Sequence, residues 1–182
     1  MRIVPMTWRG ISPVRWIAAA ALSVACASAG NRGEDQTQAD LCATRLATFD
    51  TLDYDVFSNQ KWDRLSESHA QNIVVTWPDG RETTGIDTHI DDLKAMFVYA
   101  PNTSIKEHPI RTCDGDYTAV VGIMTGTFSQ PMPTPGGGSI PPTGKSFRLM
   151  MATVARWEGT RMVHEWLFWD NHAFMQQIGL TR

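Results

Sequence analysis

The sequence predicts an α+β fold, a curved antiparallel sheet wrapped around three N-terminal helices, and three observations carry the prediction. Helical periodicity dominates between Asp40 and Phe97. β-Branched and aromatic runs separated by Gly-containing turns dominate from Ser104 to Trp169. No internal repeat interrupts this order, and helices followed by hairpin-linked strands form an α+β arrangement. A single sheet curling around the helices leaves a cone-shaped cavity between the two layers.

The chain begins with a segment that reads as an export leader. Arg2, Arg9 and Arg15 precede the ten-residue apolar run Trp16–Ala25, and Ala27-Ser28-Ala29 forms a cleavage signal. The run is too short to span a bilayer. Residues 1–29 are therefore expected as a signal peptide, with a disordered N-terminal extension as the alternative. Cys26 follows the small residue Ala25, so a lipid anchor at Cys26 is a second route to the membrane, although Ser23 stands where a lipoprotein signal has an aliphatic residue. Residues 30–39 are polar and expected as a disordered tether, followed by one domain over residues 40–180. The expected location is secreted or periplasmic.

Leader removal takes away three Arg and no acid, so 13 basic residues face 19 acidic ones and the net charge becomes −6. An acidic surface without a Lys/Arg cluster argues against nucleic acid and against an anionic membrane surface. Cys42 and Cys113 remain, and in an oxidising compartment such a pair invites a disulfide, with two free thiols as the alternative. The His residues show no H-x-x-x-H or H-x-H spacing and no C-x-x-C occurs, so neither a metal nor a cofactor is expected.

Leu46, Phe49, Leu52 and Val56 make one apolar helical stripe, and Trp62 with Leu65 marks a short second helix. Asn72 to Trp77 reads as a strand, and Pro78-Asp79-Gly80 as the turn that sends it back along residues 81–84. Asp87 is expected to cap a third helix with the stripe Ile90, Leu93, Met96, Phe97. Strands follow at residues 104–112, 117–129, 145–157 and 161–169, with Asp114-Gly115 and Glu158-Gly159 as hairpin turns. Gln130 to Gly144 holds five Pro and four Gly, a loop that is either a lid over the cavity or a surface insertion. Residues 171–178 close the chain as a short helix.

Trp77-Pro-Asp-Gly80, Pro141-Pro-Thr-Gly-Lys145, and Glu165-x-Trp through Asp170 followed by Gln177-x-Gly179 resemble the SnoaL-like polyketide cyclases, also called ester cyclases, of the NTF2-like superfamily that includes ketosteroid isomerase. The resemblance covers residues 40–180. It implies a cone-shaped α+β domain, a homodimer through the outer sheet face, and cofactor-independent ring closure by aldol condensation. It also implies an acid/base aspartate at the end of the last long strand, which falls on Asp170. The chain departs from the family at Met124, where Gly-x-His-x-Gly members carry His, and in the enlarged turn Pro131–Ser139.

Asp170 shares strand parity with His164, Trp166 and Phe168. With that face turned into the cone, Asp170 and His164 become the expected catalytic pair, and Glu165 turns outward unless a bulge intervenes. The alternative for Asp170 is a helix cap. Expected ligand-binding residues are Trp77, His108, Met124, Phe128, Trp166 and Phe168. The function expected is acid/base catalysis, of the aldol cyclisation or isomerisation type, on a small hydrophobic carbonyl compound. The alternative is a non-catalytic carrier of a small hydrophobic molecule.

Overall fold

The structure, a computed structural model, describes residues 20–181, with side chains from Gln36 to Thr181. The leader expected over residues 1–29, its cleavage site and the Cys26 anchor fall on residues 1–19 and on side chains outside that description. No described helix is long and apolar enough to cross a membrane. The chain divides into two units, Met1–Thr37 and Gln38–Arg182, and every element after residue 51 belongs to the second.

Helix α1 spans Ala20–Thr51, so residues 30–39 are helical rather than a disordered tether. Gly30 and Gly33 each cost about 1 kcal/mol of helix propensity, which their Glu, Gln and Ala neighbours offset. The chain then widens into a π-helical turn, Leu52–Phe57, and after Asn59-Gln60 tightens into a 3₁₀ turn, Trp62–Glu67. Strands β1 (His69–Thr76) and β2 (Glu82–Thr84) form a hairpin around Gly80, whose φ of 83° suits only glycine comfortably. Helix α2 spans Ile86–Tyr99 and starts one residue before Asp87. Its N-cap is Gly85, which lacks a capping side chain.

The predicted strand over residues 104–112 is two strands, β3 (Ser104–Ile105) and β4 (Ile110–Asp114), because Pro109 cannot donate to a ladder. Both pair with β5 (Tyr117–Thr127), which runs antiparallel to β8 (Ser146–Glu158). Strand β9 (Arg161–Phe168) follows, and helix α3 (Asn171–Gln177) ends the fold. The sheet order is β2-β1-β9-β8-β5-β3, with β4 also on β5. The pairing is antiparallel except between β1 and β9. Those two are joined by a crossover through most of the chain, not by a hairpin, and so lie parallel. Loop 130–144 carries a separate ribbon, β6 (Met132–Pro133) and β7 (Ser139–Ile140), whose Met132 and Ile140 pack on the core.

Two apolar clusters fill the space between helices and sheet. One centres on Phe49, Leu65, Ile73 and Trp157, the other on Phe57, Phe97, Phe128 and Phe147. Trp157 is fully buried and its indole N–H donates to Thr118 at 2.9 Å, so no polar atom of this large side chain is stranded. Arg45 is 2 % exposed and fixes α1 to the sheet by donating to the Gly115 and Gly159 carbonyls, in two different hairpin turns, and to Asp116.

Cys42 and Cys113 form a disulfide, their Cα atoms 5.6 Å apart, tying α1 to β4 across 71 residues. On the chain-entropy account a loop of that length stabilises by roughly 4 kcal/mol. The double variant Cys42→Ala/Cys113→Ala is expected to melt about 10 °C below the parent in a thermal scan. Equal melting temperatures would show that Arg45 and the core alone fix α1.

Candidate active site

The cavity between helices and sheet encloses about 210 Å³. Its walls are mainly apolar: Phe49, Leu52, Phe57, Leu93, Met124 and Leu167 contribute from five elements. No residue of 130–144 lines it, so that loop is an anchored insertion rather than a lid. Into these walls project two carboxylates that are themselves buried, Asp53 and Glu165, and a third, Asp92, which is partly exposed and faces Arg81 at 3.4 Å.

Glu165 points inward because β9 is irregular. Trp157 pairs with Met162 and Arg156 with His164, which leaves Val163 as an extra residue. A one-residue bulge reverses strand parity. Met162 is therefore inward before the bulge, and Glu165, Leu167 and Trp169 are inward after it. The residues expected in the cone turn the other way. His164 stacks on Trp166 at 3.7 Å and meets Thr76 Oγ1 at 2.9 Å on the outer face, and Phe168 is 52 % exposed. Asp170 is exposed and caps α3, its Oδ1 accepting from the Ala173 N–H at 2.9 Å. Of the expected ligand-binding residues, Trp77 and Met124 line the cavity, while Phe128 is core behind the wall. His108 stands one layer behind the cavity rather than in its lining.

The Glu165 carboxylate, 3 % exposed, lies 3.3 Å from Nε2 of His69 and 3.3 Å from Nε2 of His89. His69 opens β1 and His89 sits on the inner face of α2, each about 3 % exposed or less. Burial alone would raise the Glu165 carboxyl, but the His69 imidazole, and after it His89, outweigh burial and hold it well below the usual range.

Asp53 approaches from the opposite layer, on the π-helical turn. Such turns widen a helix by one residue and redirect side chains, and they recur at functional sites. Its Oδ2 is 2.8 Å from His108 Nε2, and His108 Nδ1 is 2.8 Å from Asp50 Oδ1. Asp50 in turn pairs with exposed Arg111. Gly122 makes room for this arrangement: a Cβ there would stand 3.0 Å from Ile105 and 3.6 Å from the His108 ring. Burial pushes the Asp53 carboxyl above its ordinary value, partly opposed by the His108 hydrogen bond. Burial works against a charged His108, yet the hydrogen bonds to Asp53 and Asp50 outweigh it and raise the imidazole above 6.5.

Reading the sequence by parity and spacing missed Asp53, Glu165, His69 and His89 as one site. A signal existed for Asp53 alone: it lies four residues after Phe49 and three before Val56, on the apolar stripe itself. His69 and His89 come from segments 20 residues apart with no shared motif.

Comparison with known proteins follows this geometry. The SnoaL-like polyketide cyclase family matches residues 48–178. No functionally curated protein matches the chain. Among solved structures, a SnoaL-like polyketide cyclase candidate from Jannaschia sp. CCS1 is 19 % identical, with TM-score 0.67 over 78 % of this chain and 96 % of its own. IdmH of Streptomyces antibioticus, a candidate polyketide cyclase, is 22 % identical, with TM-score 0.63 over 74 % and 98 %. A ketosteroid isomerase-like fold from Catenulispora acidiphila, solved with trimethylamine, is 14 % identical, with TM-score 0.59 over 75 % and 93 %. At these identities the likeness establishes the fold, an α+β cone of the NTF2/ketosteroid isomerase type.

The raised His108 proton affinity sets a sign. The ion pair contributes fully below about pH 6.5 and is lost as pH rises through the higher folded value. Imidazole NMR is expected to show one His titrating above 6.5 that disappears in His108→Gln. The parent is expected to lose more stability than this variant between about pH 6 and 9. A His108 resonance titrating below 6.5 would contradict the arrangement.

Proposed function

The chain belongs to the SnoaL-like polyketide cyclase family, and on that premise we propose that its cavity moves a proton next to the carbonyl of a small apolar compound, in a cyclisation or isomerisation. The observation that carries the reading is Asp53, 6 % exposed in an apolar cavity and backed at 2.8 Å by a buried His108. A carboxylate with a raised pKa is a stronger base than an exposed one and is better matched to a carbon acid near neutral pH.

In the cyclisation form, the Asp53 carboxylate takes a proton from the carbon beside a carbonyl. The electron pair moves to the carbonyl oxygen, and the resulting enolate is held at the opposite wall by the imidazoles of His69 and His89. The enolate carbon attacks a second carbonyl of the same molecule, forming the ring bond. The new alkoxide receives the proton from Asp53, so nothing is consumed. Isomerisation uses the first half and returns the proton to a different carbon. The His108–Asp50–Arg111 chain keeps Asp53 oriented throughout.

Location and assembly belong to the same reading. Export to an oxidising compartment is supported by the Cys42–Cys113 disulfide and by the leader-like start of the sequence. A homodimer through the outer sheet face is supported by exposed Met150 and Phe168 and by the His164–Trp166 stack.

Turnover of apolar esters that carry a second carbonyl, followed by product mass and absorbance, tests the chemistry. Asp53→Asn keeps the shape and a hydrogen bond to His108 but cannot take the proton. It is expected to bind the same compounds and to lose 10²- to 10⁴-fold in kcat. Parent-like turnover by Asp53→Asn would end the assignment, and binding without turnover by the parent would favour the carrier.

A further inference from the structure

We infer that His69, His89 and Glu165 form a site for a divalent transition-metal ion of the zinc type, with a fourth position open to the cavity. The donors are His69 Nε2, His89 Nε2 and Glu165 Oε2. Glu165 Oε2 is 3.3 Å from each imidazole nitrogen, and the three donor atoms all lie within 4.8 Å of one another. Zinc holds imidazole and carboxylate ligands at about 2.0–2.1 Å in a tetrahedron, so neighbouring ligand atoms stand about 3.3–3.4 Å apart. The two separations from Glu165 are close to that edge.

Hydrogen bonding alone leaves the cluster incomplete. His69 Nε2, His89 Nδ1 and Glu165 Oε2 are buried from water and make no hydrogen bond. An unsatisfied charged acceptor in an apolar wall costs well over 1 kcal/mol. The local contacts suit a proton on His69 Nδ1. His69 Nδ1 lies 2.8 Å from Ser68 Oγ and 3.2 Å from the Leu65 carbonyl, which can only accept. With its proton on Nδ1, a neutral His69 leaves the Nε2 lone pair free for a metal ion held beside the Glu165 carboxylate. A cation between them uses both the Nε2 lone pair and the carboxylate. The Nδ1 contacts to Ser68 and to the Leu65 carbonyl at 3.2 Å are the outer support that metal-bound imidazoles have.

The set is two imidazoles and one carboxylate, a combination of catalytic zinc sites that keep one position for water or substrate. Here Trp77 and Leu167 border the ligands and the open side is the cavity that Asp53 also lines. The inference adds to the proton-transfer reading only in what it places opposite Asp53: an ion that polarises the carbonyl oxygen, where imidazole N–H groups would otherwise do so. Spacing along the chain gives no hint of it, because the ligands sit at residues 69, 89 and 165 on two strands and a helix.

The test uses the full chain and the metal alone. Chelator-treated protein is titrated with Zn²⁺ by calorimetry and with Co²⁺ by visible absorption. One ion per chain is expected, with Kd in the micromolar range or below and the absorption of four-coordinate Co²⁺. Glu165→Gln and His89→Gln are each expected to weaken Zn²⁺ binding at least tenfold, while Asp53→Asn binds like the parent. Should a ligand variant fail to fold, the parent decides: saturating Zn²⁺ is expected to raise its melting temperature. Binding unaffected by both ligand variants would place the metal elsewhere, on half-buried His164 or exposed His172, and overturn the inference. So would binding weaker than millimolar, or no thermal shift in the parent. Because no substrate enters these measurements, their failure leaves the Asp53 reading untouched, and failure of Asp53→Asn to lose turnover leaves the metal site untouched.

Discussion

Taking a carboxylate out of water costs several kcal/mol unless the surroundings replace its hydration, and the apolar cavity holds Asp53 and Glu165 under that constraint. Each is compensated by imidazole rather than by Lys or Arg. Glu165 draws on His69 and His89, and Asp53 on His108. The two environments push the acids in opposite directions, Asp53 upward and Glu165 downward. That separation is what gives two acids in one pocket different roles. Most of the local architecture serves these two compensations.

Three devices deliver the groups. The bulge at Val163 turns Glu165 from the outer face to the inner one. The π-helical turn at Leu52–Phe57 aims Asp53 across the cavity. Gly122, with no side chain, leaves room for the His108 ring beneath β5. Position then depends on α1 being fixed to the sheet, since its last turn carries Asp50 and leads directly into Asp53. The buried Arg45, reaching two hairpin carbonyls, and the Cys42–Cys113 bridge both act there. A structural clamp about two turns upstream thus sets the geometry of the chemistry at Asp53.

Much of the fold was legible in the sequence because it rests on local patterns. The stripe ending at Val56, the Pro78-Asp79-Gly80 turn, the Gly115 and Gly159 hairpins and the strands expected over residues 117–129, 145–157 and 161–169 all follow from periodicity and turn chemistry. The family resemblance follows from short motifs in order, and the match over residues 48–178 agrees with it. The site was not legible in the same way. Inward and outward faces of β9 depend on one bulged residue, and no local preference marks Val163. Parity therefore placed His164, Trp166, Phe168 and Asp170 in the cone, where the fold puts Glu165, Leu167 and Trp169. Asp170 has the alternative role weighed for it, a helix cap. His69 and His89 come together only through the parallel pairing of β1 with β9 and the packing of α2, which are long-range events. The helix through residues 30–39 is a smaller miss, where polar composition read as disorder overrode helix propensity.

The central claim is that chemistry belongs to the inner wall that carries Asp53 and Glu165. The most direct measurement is a crystal structure of the full chain with a planar phenol, whose oxygen mimics an enolate. The account predicts the ring within the cavity between Phe49, Leu93 and Leu167, with its oxygen within hydrogen-bonding distance of Asp53 or of the His69–His89–Glu165 cluster. A phenol bound instead on the outer face, against His164, Trp166 and Asp170, with the cavity unchanged, would contradict it.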